Sequence, residues 1–174
     1  HIIVALQTIA SRGVDPLKQV VVSVCMLRSD SEAFNIIPHR VTMKGTVRTL
    51  DAAVRDLAEQ RLAEIVDLTA RAHGCTAEID YERGYPATVN HDANTDYAAD
   101  AAEAVTPGVE RNTPPIMAGE DFSFMLEERP GAYIQLGNGG GFSVHHPEYQ
   151  FNDEAIPAGC SWFAEVVERR LPLA

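Results

Sequence analysis

Two consecutive histidines, His145 and His146, stand between a glycine run and Pro147. Imidazole nitrogen is a natural ligand for zinc, manganese, cobalt or iron. Adjacent side chains of an extended segment point to opposite faces. At most one of the pair would therefore face a metal, leaving the other to its surroundings or to solvent; an ordinary surface pair is the plainer alternative. Gly119-Glu120-Asp121 offers two carboxylates at the start of a helical stretch. Acids there ordinarily cap the helix near its positive dipole end, and a catalytic or metal role is the sharper alternative. Arg48 ends an apolar, β-branched run, where a guanidinium can receive a carboxylate through two parallel hydrogen bonds or serve as a surface ion-pair partner. Asn35 precedes Ile36-Ile37-Pro38; its amide either holds a turn or donates to a ligand oxygen.

Other chemistries lack their signatures. There is no GxGxxG dinucleotide loop, GxxxxGKS phosphate loop, GxSxG nucleophile elbow or HExxH helix. Gly139-Gly140-Gly141 alone is weak evidence for phosphate binding. The net charge of -11 repels phosphate backbones and anionic lipid, so nucleic-acid and membrane-surface roles are disfavoured. No apolar run reaches the length of about 18 residues that marks a membrane span. Cys25, Cys75 and Cys160 are too far apart for a zinc ribbon or a dense disulfide framework. The expectation is reduced, mostly buried cysteines in a cytoplasmic protein.

The elements that must position these residues can be read from periodicity. The chain's 174 residues, 45% of them apolar, suffice for one ordinary domain or two small ones. Ile2, Ile3, Leu6 and Ile9 recur at helical intervals, and Gly13 and Pro16 close that helix. Val20 to Val24 has strong β-propensity, Arg28 to Glu32 reads as a loop, and Val41 to Arg48 reads as a second strand. Asp51 is an N-cap for a helix reaching about Ala72, with Leu57, Leu62, Ile65 and Leu68 near one face and Gly74 at its end. Thr76 to Tyr81 alternates as a strand. The order helix, strand, strand, helix, strand becomes a symmetric βαββαβ sandwich if one strand precedes it. The chain opens on His1-Ile2-Ile3, as though inside a helix, so an upstream segment is expected. Tyr85-Pro86-Ala87 reads as a linker. A helix from Asn94 to Val105, a short helix opening at Glu120 and ended by Pro130-Gly131, a strand at Ala132–Leu136 and an amphipathic helix from Ala158 to Arg169 follow.

Five ordered segments carry a resemblance. They are Phe34-Asn35-Ile36-Ile37-Pro38, Gly45-Thr46-Val47-Arg48-Thr49 and Gly84-Tyr85-Pro86-Ala87-Thr88-Val89-Asn90. Met117-Ala118-Gly119-Glu120-Asp121-Phe122-Ser123 follows, and then His145-His146-Pro147-Glu148-Tyr149-Gln150-Phe151-Asn152-Asp153. Each is weak alone. As an ordered set spanning nearly the whole chain, they resemble the C-terminal part of amidohydrolases of the hippurate hydrolase and N-acyl-amino-acid amidohydrolase type, within the larger aminoacylase and metallo-carboxypeptidase family.

The resemblance implies an α/β fold: residues 1–84 as a βαββαβ-type lid or dimerisation domain lacking its first strand, and residues 85–174 as the C-terminal part of a zinc-peptidase-like catalytic domain. It implies two divalent ions (zinc, manganese, cobalt or nickel) in the intact protein. The expected substrate is a small N-acyl amino acid or amide, attacked by metal-activated water, and the expected assembly is a homodimer through the lid. His145 matches the last metal ligand, and His146 falls on a variable position. Arg48 and Asn35 match lid residues that face the substrate, while Glu120 and Asp121 match a supporting pair. The remaining ligands and the general base are expected upstream, so no catalytic residue is assigned here and the chain alone is expected to be inactive. Two alternatives stand beside this reading: a structural or dimerisation module, and one half of a split hydrolase. The loop Arg28-Ser29-Asp30-Ser31-Glu32 departs from the family by lacking glycines, which leaves its shape and any specificity it carries open.

Overall fold

The structure, a computed structural model, describes residues 1–171. Its architecture is α/β, with a small two-stranded sheet and several helices. The chain divides into two compact units, residues 1–87 with 117–119, and residues 88–116 with 120–174.

In the first unit, helix α1 (Ile2–Thr8) runs into a π-type turn over Ile9–Gly13. Strand β1 (Val20–Ser29) pairs antiparallel with β2 (Val41–Thr49), and helix α2 (Ala52–Ala72) follows. β1 reaches further than β-propensity predicts. Arg28 and Ser29, expected in a loop, pair with Thr42 and Val41. The hairpin ladder satisfies their backbone groups, and that outweighs their polar side chains. A register irregularity between Val24 and Met26 interrupts the pairing. Gly45 lies opposite this point, where an added Cβ would overlap the Ser23 carbonyl oxygen and lie 3.2 Å from the Val24 Cα.

Asp51 is the expected N-cap of α2: its Oδ1 accepts from the backbone N–H of Ala53 at 2.9 Å and of Val54 at 3.2 Å. Its other oxygen pairs with Lys18. Gly74, at φ 68°, follows the helix in the left-handed region that glycine tolerates. The core joins Leu6, Ile9, Val22, Ala58 and Val66, with Leu62 and Ile65 packed against it. Leu57 and Leu68 instead face outward, the latter 62% exposed. The inward row starts at Val54 and passes through Ala58, Leu62, Val66 and Ala70 at four-residue steps. Small alanines there let α2 approach its neighbours closely, so residue size was a poor guide to the buried face.

Thr76–Tyr81 joins no sheet. Alternation fits a strand, but a strand exists only with a backbone partner, and among the described residues the sheet ends at β1 and β2. Arg83 ties this stretch to α2 through Asp56 at 2.9 Å and through Glu59.

In the second unit, helix α3 (Asp92–Val105) packs on the C-terminal helix α5 (Ile156–Arg170). The indole N–H of Trp162 donates to the Ala98 carbonyl at 2.9 Å, and the Arg170 guanidinium lies 3.9 Å from the Tyr97 ring centre. Arg111 pins the following loop to α3 through Asp100 and Glu103. Short helix α4 (Phe122–Glu128) buries Ser123 and Leu126. Ala132–Leu136 is not in a ladder. The side-chain amide of Asn90 occupies the partner's place, its Nδ2 donating to the Tyr133 carbonyl at 2.9 Å and its Oδ1 accepting the Tyr133 N–H at 2.8 Å.

The cysteines depart from expectation: Cys25, Cys75 and Cys160 are free and exposed. Cys25 lies at the β1 irregularity, Cys75 just beyond Gly74, and Cys160 on α5, none of whose residues is fully buried. No described helix is long and apolar enough to cross a membrane.

Candidate functional site

His145 sits on a loop that leaves the glycine run and returns through Asn152. Its backbone adopts φ 72°, the left-handed region, which costs a non-glycine residue roughly 1–2 kcal/mol. A residue held there is held by its surroundings. The pair therefore lies in a turn and not in an extended segment. His146 N–H donates to the Ser143 carbonyl at 3.1 Å, and Tyr149 N–H to the His146 carbonyl at 3.0 Å. The His146 ring stacks on Phe142 with centres 4.0 Å apart and planes 3° from parallel, while its Nδ1 accepts the Glu148 N–H at 3.1 Å. That bond puts the proton of the neutral ring on Nε2. His146 is thus engaged with the loop itself, and His145 is exposed.

Glu120 and Asp121 open α4. The Glu120 carboxylate accepts the Phe122 N–H at 3.2 Å, and its backbone carbonyl accepts the buried Ser123 hydroxyl at 2.6 Å. The Tyr133 hydroxyl also donates to this carboxylate. That bond, followed by the Phe122 N–H, holds Glu120 below its ordinary pKa, and the same carboxylate pushes Tyr133 up. The capping role anticipated for acids at this helix start falls to Glu120; Asp121, the residue at the cap position, makes no side-chain capping bond. Tyr133 as the partner of Glu120 was not foreseen. Its position within an apolar run carried no sign of it.

Arg48 and Asn35 belong to the first unit. Arg48, near the end of β2, donates from Nη1 to the Met117 carbonyl at 3.1 Å. Asn35 is exposed in the turn between β1 and β2, where Ile36 N–H reaches back to the Ala33 carbonyl at 3.4 Å. Glu120, Asp121 and His145 belong to the second unit. No group of three or more His, Cys, Asp and Glu side chains converges as a metal site among the described residues. The donor chemistry of His145 fits one ligand position, and the described residues do not complete a centre around it.

Residues 4–169 match the model of Peptidase family M20/M25/M40, and the chain belongs to that family. It is 36% identical over 172 residues to hippurate hydrolase from Campylobacter jejuni, covering 98% of this chain and 45% of that protein. It is 35% identical over 171 residues to N-acetyl-L-cysteine deacetylase from Bacillus subtilis, covering 98% and 41%. Among solved structures it resembles the Bacillus subtilis YXEP protein, described as a dinuclear metal binding peptidase from the M20 family. That match has a TM-score of 0.75 at 27% identity and covers 100% of this chain and 47% of the other. The chain thus spans less than half the length of the curated relatives it matches.

Proposed function

We propose that residues 1–174 are the C-terminal part of a cytoplasmic, metal-dependent amidohydrolase that cleaves N-acyl amino acids or similar small amides. The observation that carries the reading is His145: an exposed imidazole held in a left-handed turn, within a chain similar along nearly its full length to hippurate hydrolase. In this reading residues 1–84 are the lid and 85–174 part of the catalytic domain. A divalent ion held by His145 and upstream donors would polarise the amide carbonyl and lower the pKa of attacking water.

The remaining roles fall to side chains of this chain. Arg48 holds the substrate carboxylate with the donors not spent on Met117, since a guanidinium offers five. Asn35 donates to a substrate oxygen. Glu120 and Asp121 support the site, Glu120 by fixing the start of α4 and the ring of Tyr133.

The test uses hippurate and N-acetyl amino acids with added zinc or manganese. One histidine is too few donors to assemble this chemistry, so the isolated chain is expected to give no turnover. The protein expressed from its native reading frame, with any upstream segment, is expected to turn over and to lose activity on chelation. Chelator-sensitive turnover by residues 1–174 alone would overturn the division of labour, and a native-frame product inactive on every N-acyl amino acid would overturn the substrate class.

A second reading, assembly through the first unit, is favoured by the apolar tip of the β1–β2 hairpin. Phe34 is 101% exposed and Ile37 93%. Sedimentation at rising concentration should show a dimer, and a persistent monomer would count against it.

A further inference from the structure

We propose that Asn138 is the positioning residue for His145. The proposal rests on reading His145 as a metal ligand, and it adds the device that presents it.

The loop from Gly139 to Phe151 has every reason to be loose. It begins with three glycines, two of them at φ 88° and 120°, and glycine-rich chain loses the most freedom on ordering. Yet it holds His145 at φ 72°. Most of its internal hydrogen bonds are short-range. They join Ser143 to His146, His146 to Glu148 and His146 to Tyr149, and so shape the tip without fixing where the tip sits. Asn138 does what these cannot. Its Nδ2 donates to the Gln150 carbonyl at 2.8 Å and its Oδ1 accepts the Asn152 N–H at 2.7 Å. One planar amide thereby joins the outgoing chain to the returning chain, as a strand partner would. Asn152 in turn accepts the Glu154 N–H at 3.0 Å, which links the closure to the turn that starts α5. The base of the loop that carries His145 is therefore closed against the turn that precedes α5. Partners that orient a ligand commonly carry much of a metal site's affinity.

The experiment compares the 174-residue chain with Asn138→Ala and Asn138→Asp. Aspartate keeps the acceptor for Asn152 N–H and loses the donor to Gln150. Amide hydrogen exchange is followed across residues 139–151 and across α3 and α5, and emission of the single tryptophan, Trp162, reports whether the second unit remains folded. Mn²⁺ alone is titrated into the metal-stripped protein expressed from its native reading frame, wild type and Asn138 variants, so that any upstream donors are present, while broadening of the His145 ring resonances is read. Asn138→Ala should raise exchange in residues 139–151 by about tenfold, leave α3 and α5 unchanged, and weaken Mn²⁺ broadening at His145 by about tenfold. Asn138→Asp should fall between it and the wild type. If Asn138→Ala perturbs Trp162, the Asp variant decides alone. Unchanged exchange and broadening in both variants would overturn the proposal, as would exchange that rises equally throughout the unit. If the loop loosens as expected while wild-type His145 shows no broadening, the positioning role stands and the metal reading fails.

Discussion

Glu120 combines two residue-scale roles that the sequence could not separate. Gly119-Glu120-Asp121 announced acids at a helix start, and the capping bond to Phe122 follows from that. The Tyr133 hydroxyl on the same carboxylate comes from a residue distant in sequence, which no spacing rule reaches. Because Glu120 lies below its ordinary pKa of 4.5, its contribution to stability is complete above that value and fades as pH falls through the lowered one. Tyr133→Phe removes the leading cause of the shift. The difference in melting temperature between wild type and Tyr133→Phe should be largest at neutral pH and shrink in acid; a gap that widens on acidification would contradict the assignment. Asp51 obeys the same sign. Lys18 first, and the Val54 N–H second, hold it below 3.8, so its stabilisation is present above that value and is lost on acidification. Asp51→Ala removes the cap and should lower the midpoint of denaturant unfolding, and an unchanged midpoint would contradict the capping role. His145 was legible as a ligand candidate from its type and neighbours, whereas its positive φ and the engagement of His146 with Phe142 required coordinates.

Among the elements, helices were read more faithfully than strands because a helix satisfies its backbone within itself. The periodicity of residues 1–11 and the Asp51 and Gly74 boundaries carried over into α1 and α2 with shifts of a few residues. Thr76–Tyr81 and Ala132–Leu136 have strand-like patterns, but pairing is a property of a neighbour, and for Tyr133 the neighbour is a side chain, Asn90. Gly45 gives the sharpest element-level prediction. Opposite the β1 irregularity, a methyl group would meet the Ser23 carbonyl, and backbone cannot rotate aside as a flexible side chain can. Gly45→Ala should cost about 1–3 kcal/mol by overpacking, seen as earlier thermal unfolding of the hairpin unit. An unchanged melting temperature would mean that β1 and β2 have more freedom at this point than the geometry allows.

At the scale of the whole molecule, family membership was legible because five weak segments kept their order, and the match from residue 4 to 169 agrees with that reading. A metal centre was not legible as a constellation, since the described residues bring together no group of three donors. The exposed cysteines give a simple check: all three should react with a thiol reagent without denaturant, and a thiol unreactive until unfolding would contradict the exposure found here. In the function proposed above, His145 is one ligand of a metal site that serves amide hydrolysis. Its most direct test is metal content and N-acyl amino acid turnover of the protein expressed from its native reading frame, wild type against His145→Ala. The wild type should carry divalent metal, and His145→Ala should lose both metal and turnover while staying folded. A His145→Ala protein with undiminished metal and activity would contradict it.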